Sequence, residues 1–158
     1  MISREEIRLA RYEDARCIAE MSRSLIESGL GWSWTPLRVI REIKAGNANV
    51  IVAGARNQIM GFAIMRYLED EARLNLLAVH PRYQRKGIGT HMLQWLEETA
   101  RVNGNGVVYL ETRLGNQTAR QFYEAAGYQV VQYIPGYYRR RETAIRMAHD
   151  LWLPHPSY

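Results

Sequence analysis

Seven residues, "QRKGIGT" (84–90), combine two glycines, two cations and a threonine between an apolar run, "RLNLLAV", and a segment with helical periodicity. The backbone N–H groups of Arg85, Lys86, Gly87, Ile88, Gly89 and Thr90 therefore fall at a strand-to-helix junction. The first turn of a helix carries donors without intrahelical partners, and its dipole end is positive. A phosphate or pyrophosphate accepts several such donors at once. A side chain at Gly87 or Gly89 would hold the anion off the backbone, and Arg85 and Lys86 add charge. An ordinary tight turn is the competing reading. The stretch contains neither the phosphate loop G-x-x-x-x-G-K-[ST] nor a full G-x-G-x-x-G fingerprint.

A second group of polar residues stands downstream in "ETRLGNQTARQFYEAAGYQV". Asn116 suits a helix N-cap, and its amide equally suits an amide-rich ligand. Tyr123 follows seven residues later, two helical turns on, and so faces nearly the same way as Asn116 and Ala119, whereas Phe122 points toward the core. A lone tyrosine on a helix usually packs; its pairing with the glycine stretch is what marks this one for chemistry. His80, His91, His149 and His155 form no ligand cluster with Cys17, so no metal is expected. Cys17 reads as a buried structural thiol, and one cysteine makes no internal disulfide.

The elements that must hold these residues follow from periodicity. "IRLA" (7–10) predicts a first strand. Ile18, Met21, Leu25 and Ile26 recur at helical spacing over 13–28, and Thr35-Pro36 reads as an N-cap and first helical residue. Leu37, Ile40 and Ile43 would line the second helix, closed by Gly46. "NVIVAGA" (49–55) and "IMGFAIMRY" (59–67) are two strands that join through "RNQ" as a hairpin. "RLNLLAV" (73–79) is stopped by Pro81. A long helix carries Ile88, Met92, Leu93, Leu96 and Ala100 on one face up to Gly104. Strand "VVYLETR" (107–113), a helix over 116–126 and two closing strands, "YQVVQYI" and "TAIRMAHDL", complete the chain. The order β-α-α-β-β-β-α-β-α-β-β is a mixed α/β layout.

The 158 residues suit one domain, 1–158, with no linker, repeat or low-complexity tract. No apolar run approaches the roughly 20 residues of a membrane helix, and the charged N-terminus lacks a secretory signal, so a cytoplasmic protein is expected. Twenty-one Lys and Arg against sixteen Asp and Glu give a formal charge of +5, which suits an anionic partner or merely solubility.

Gln84-x-x-Gly87-x-Gly89, then Asn116-x-x-Ala119-x-x-x-Tyr123-x-x-x-Gly127-Tyr128, resembles the acetyl-CoA-binding signature of the GNAT N-acetyltransferases. The likeness spans about 7–151, and the two stretches "LETRLGNQTARQFYEAAGY" and "GYYRRRETAIRMAHDL" are most similar to the RimI-type ribosomal-protein alanine N-acetyltransferases. The resemblance implies an α/β GNAT fold, with a mixed, mostly antiparallel sheet of about seven strands, helices on both faces and a splayed central strand pair, 73–79 and 107–113. It implies acetyl-CoA as co-substrate and an amine as acceptor, first a protein or peptide N-terminus and otherwise a small molecule such as a polyamine, amino acid or antibiotic.

Carried onto this chain, the backbone at Leu77 and Val79 would hold the pantetheine and acetyl group. Gln84, Arg85, Lys86, Gly87, Ile88, Gly89 and Thr90 would hold the pyrophosphate, and Asn116 and Tyr123 would meet the pantetheine arm. Tyr123 would serve as general acid, since a phenol titrating near 10 keeps a proton at neutral pH. Glu111 matches the position of the candidate base, with a strand-end salt bridge as its other reading. Tyr137 and Tyr138, in "PGYYRRR", match a tyrosine-bearing loop that flanks the acceptor, or form an exposed hairpin tip. Trp32 and Trp34, in "GLGWSWTP", would shape the acceptor pocket or pack the first two helices. Arg139–Arg141 would steer an acidic acceptor or simply be solvated. The chain departs from the RimI pattern at Leu76, where an asparagine is common, and in its "GLGWSWTP" loop. A non-catalytic acyl-CoA-binding module and a nucleic-acid-binding module are the alternatives from other classes; the second lacks any recognisable binding signature. A homodimer is left open.

Overall fold

The computed structural model describes residues 6–54 and 58–152. In chain order the elements are β1 (Ile7–Leu9), α1 (Ala15–Leu25), α2 (Pro36–Lys44), β2 (Ala48–Ala53), β3 (Gly61–Tyr67), β4 (Glu71–Val79), α3 (Ile88–Val102), β5 (Val107–Arg113), α4 (Gln117–Ala125), β6 (Gln129–Tyr138) and β7 (Glu142–Asp150). This is the order read from the periodicity. The seven strands form one sheet ordered β1-β2-β3-β4-β5-β7-β6. Residues 55–57, which include most of the expected "RNQ" turn, lie outside the described residues, as does His155.

Contacts divide the chain into two compact units, one of residues 1–66 and 74–99, the other of 67–73 and 100–158. In the first, β1, β2 and β3 pair antiparallel, with Val50 opposite Ile64 and Val52 opposite Phe62. Alternation along β2 sends Val50 and Val52 to a cluster with Ile18, Ala19, Met21, Trp34 and Val39 of the α1–α2 region. Ile51 and Ala53 are equally buried, so both faces of β2 are covered. In α3, Ile88, Met92, Leu93 and Leu96 are all buried, as their spacing predicts. Met92 runs close under Gly61, where a Cβ would come within 3.1 Å of its terminal methyl.

Helix α2 departs from its expected face. Val39 is fully buried, while Leu37 is 72% exposed. Two residues apart means about 200° around the helix, so a stripe through Val39 that takes in Ile40 and Ile43 must turn Leu37 outward. The cap is as expected, with Thr35 Oγ1 accepting from Arg38 N at 3.4 Å. The helix stops at Lys44, before Gly46, because Ala45 already has extended backbone. Arg66 of β3 pairs with the buried Glu42. Helix α1 is shorter than its apolar pattern, ending at Leu25. Cys17 is exposed rather than buried, one residue round the helix from buried Ile18. Partial burial, with Glu20 and Asp14 nearby, raises its thiol, so it is no activated nucleophile.

In the second unit β5, β7 and β6 are antiparallel, with Glu111 opposite Arg146. A bulge at Val131 puts Gln132 rather than Val131 opposite Arg146. Asn105, fully buried, donates through Nδ2 to the carbonyls of Leu68 (2.8 Å), Glu69 (3.4 Å) and Glu71 (3.3 Å). Gly106 N adds a bond to Asp70 O at 2.9 Å. Among the described residues no helix is long and apolar enough to cross a membrane.

Candidate active site

The glycine stretch leaves β4 through a short helical turn, Pro81–Tyr83, capped by His80 Nδ1 accepting from Arg82 N. Gln84 turns back and donates to Val79 O at 3.0 Å, which ties the loop to the end of its strand. Arg85 and Gly87 both have positive φ, 65° and 82°. The helix ladder opens with His91 N bonding Gly87 O at 3.0 Å, so the N–H groups of Ile88, Gly89 and Thr90 precede it. Ile88 anchors the turn with a buried side chain, while Arg85, Lys86, Gly87 and Thr90 are exposed. Among the described residues a Cβ added at Gly87 would meet only His91 Cε1, at 4.0 Å, so the side its hydrogen faces is open. His91 Nδ1, one turn on, is buried without a hydrogen-bond partner. Ready donors, two cations and an open concave backbone fit a pyrophosphate.

Glu111 lies on β5 with its side chain 13% exposed. Its Oε2 accepts from Arg73 Nη2 at 2.8 Å and from Arg146 Nε at 2.6 Å. Arg146 also gives Nη1 to Gln132 Oε1 at 3.1 Å, and Arg73 gives Nη1 to Glu71 Oε2 at 3.0 Å. The other oxygen, Oε1, faces the Tyr137 hydroxyl, which donates to it at 3.4 Å. Both readings of Glu111 thus meet in one side chain: Oε2 is in salt bridges, and Oε1 is turned to a tyrosine of the expected acceptor loop. Burial, then the Glu111 carboxylate, raises the Tyr137 phenol.

Tyr123 is buried, and Phe122 beside it is only half-buried, the reverse of the emphasis in the helical pattern. The Tyr123 ring meets Phe122 edge-on at 5.1 Å and Tyr128 at 5.7 Å, and Tyr128 lies against His149 at 4.9 Å. Burial, with Tyr138 a smaller cause, pushes its phenol far above the ordinary range. Asn116 caps α4 through Oδ1, which accepts from Ala119 N at 3.1 Å. Tyr137 and Tyr138 end β6, with rings 4.9 Å apart and nearly perpendicular. The following turn holds Arg139 and Arg140 at φ 51° and 62°, closed by Arg141 N to Tyr138 O at 3.0 Å.

The two tryptophans of the α1–α2 loop part company. Trp34 is 7% exposed and belongs to the helix-packing core, the second of its two expected roles. Trp32 donates Nε1 to Ala19 O and lines an open recess of about 280 Å³ with Arg23, Glu27, Ser28, Gly29 and Gly31. Buried Glu27 organises this loop, accepting from Ser22 Oγ (2.8 Å), Ser33 N and Oγ (2.7 Å each) and Trp34 N (3.3 Å). Sequence reasoning missed Arg73, Arg146, Gln132 and Glu27. A charged residue interrupting the apolar strands "RLNLLAV" and "TAIRMAHDL" was the signal for the two arginines.

Residues 17–128 match the profile of the Acetyltransferase (GNAT) family. The chain belongs to that family. Within it, N-alpha-acetyltransferase RimI of Mycobacterium tuberculosis is 32% identical over 135 residues, 83% of this chain and 82% of that one. The [ribosomal protein bS18]-alanine N-acetyltransferase of Escherichia coli is 36% identical over 94 residues, 58% of this chain and 64% of its own length. A crystal structure of the E. coli ribosomal-protein-S18-alanine N-acetyltransferase superposes with a TM-score of 0.75 at 25% identity, covering 96% of this chain and 97% of that one. The GNAT assignment makes the chain an acetyl-CoA-dependent N-acetyltransferase.

Proposed function

We propose that this GNAT enzyme acetylates the α-amine at the N-terminus of a protein or peptide, in the cytoplasm, and that residues 1–158 act as one catalytic domain. The observation that carries the reading is the Glu111 Oε1–Tyr137 hydroxyl contact, which sets a carboxylate oxygen beside an aromatic side chain on the hairpin end. The RimI proteins, which share about a third of their matched residues with this chain, support the same acceptor class. An α-amine titrates near 8 and a lysine near 10.4, so a carboxylate deprotonates the first far more readily at neutral pH.

In this reading acetyl-CoA supplies the acyl group when bound. The N–H groups of residues 85–90, with Arg85 and Lys86, hold its pyrophosphate. The backbone of Leu77 and Val79 and the amide of Asn116 orient its pantetheine arm. Glu111 Oε1 accepts the proton of the acceptor ammonium, and the free amine lone pair then forms the new C–N bond. Tyr123, kept protonated by burial, gives its proton to the departing sulfur. Tyr137 and Tyr138 bound the acceptor.

The test is CoA release with four acceptor sets: peptides with a free N-terminus, lysine peptides with that terminus blocked, polyamines and aminoglycosides. Free-terminus peptides are expected to exceed the other three at least tenfold in kcat/KM. Preference for a small amine would overturn the acceptor assignment and leave the acetyltransferase intact.

A further inference from the structure

Glu111 stands in a row of polar side chains that crosses four strands: Gln132 on β6, Arg146 on β7, Glu111 on β5 and Arg73 on β4. A glutamate that simply neutralised one arginine at the end of a strand would need no such row. Here two guanidinium groups converge on a single oxygen, Oε2, at 2.8 and 2.6 Å. Each arginine is itself held by another acceptor, Glu71 for Arg73 and Gln132 for Arg146. The bulge at Val131 brings Gln132 into register with Arg146. We infer that Arg73 and Arg146 are positioning residues for acetyl transfer: by occupying Oε2 they fix the Glu111 carboxylate and leave Oε1 as its proton-accepting oxygen. The inference rests on the reading of Glu111 as the base.

Two effects follow from one geometry. Rotation of the carboxylate about its terminal bond would exchange the two oxygens, and two anchored guanidinium groups oppose that exchange. The same contacts leave Oε1 facing the Tyr137 hydroxyl rather than an arginine. The groups bonded to Glu111 are Arg73 on β4, Arg146 on β7 and Tyr137 on β6, while Arg113 and Glu142 lie beside Tyr138. Arg113 is paired with Glu142, at 3.6 Å, so it does not compete for Oε2.

The experiment measures kcat and KM against pH, from 5.5 to 9.5, with an alanine-initiated peptide and saturating acetyl-CoA. It compares wild type, Arg146→Gln, Arg146→Lys, Arg73→Gln and Glu111→Gln, each first shown to be folded by its far-UV spectrum and melting temperature. Arg146→Gln and Arg73→Gln are expected to lower kcat about tenfold while the peptide KM stays within about twofold of wild type. Arg146→Lys restores the charge without the fork and should recover part of that kcat but not the full rate. Glu111→Gln should lose most of its rate below about pH 8, where the acceptor amine is itself protonated. A wild-type profile in Glu111→Gln would overturn the base reading itself. An altered Glu111→Gln profile with wild-type kcat in both arginine variants, or with a raised peptide KM in place of a lost kcat, would overturn the positioning role alone.

Discussion

Glu27→Ala should unfold the α1–α2 loop's internal support, and its cost follows from the bonds that the carboxylate accepts. Glu27 is 6% exposed, and its oxygens take the Ser22 hydroxyl, the Ser33 N–H and hydroxyl, and the Trp34 N–H. The Ser33 hydroxyl can turn to water, whereas Ser22 and Trp34 are buried and the Ser33 N–H is partly so. Three stranded donors at about 1 kcal/mol each give a loss of about 3 kcal/mol. For a chain of this size that is a fall in Tm of about 6–12 °C. Glu27→Gln keeps the shape and part of the acceptance, so it should fall between the two. Burial alone would raise the Glu27 carboxyl, but bonds from Ser33, Ser22 and Trp34 outweigh it and hold the group below its ordinary 4.5. A group so depressed contributes stability that is complete above 4.5 and fades as pH falls through the lower, folded value. Melts of wild type and Glu27→Gln should therefore differ by a constant amount well above pH 4.5 and converge as pH falls below it. A Glu27→Ala melt within 2 °C of wild type at pH 7, on the order of experimental scatter, would refute the accounting.

The remaining predictions concern the reaction and the hairpin. Tyr123→Phe should lower kcat by about a hundredfold while the Kd for acetyl-CoA, by calorimetry, stays within about threefold; wild-type turnover would remove the tyrosine from the acid role. Gly87→Ala adds a methyl at φ 82° on the open side of the loop, and should weaken CoA binding by about tenfold or more. Unchanged affinity there would place the pyrophosphate elsewhere. Arg139→Asn with Arg140→Gly relieves two left-handed arginines and should add about 2 kcal/mol, read as a Tm higher by about 4–8 °C. A lower Tm would mean that the guanidinium groups stabilise the turn more than its backbone strains it.

Periodicity carried the architecture because burial in this fold is close to regular. The α3 face from Ile88 to Ala100 and the strand Val107–Arg113 were visible from spacing alone. The α2 face was not, since Leu37 and Val39 are equally apolar and only packing decides between them. For the site, types and spacing marked the glycine stretch and Tyr123, which are local in sequence. Glu111's environment was hidden for the opposite reason. Arg73, Gln132 and Arg146 are scattered along the chain and meet only through strand pairing and a one-residue bulge. Trp32 and Trp34 look alike in "GLGWSWTP", yet one faces a recess and the other the core.

The two compact units interleave along the chain: residues 67–73 are counted with 100–158, inside a segment that otherwise belongs to the first unit. Asn105 and Gly106 hold that excursion by bonds to the carbonyls of Leu68, Glu69, Asp70 and Glu71. No single scission of the backbone therefore separates one unit from the other. A cut near residue 100 strands the excursion on the wrong fragment, and a cut near 73 splits β4. Neither unit is one continuous stretch, and exchanging either would require transplanting two separate stretches of sequence together.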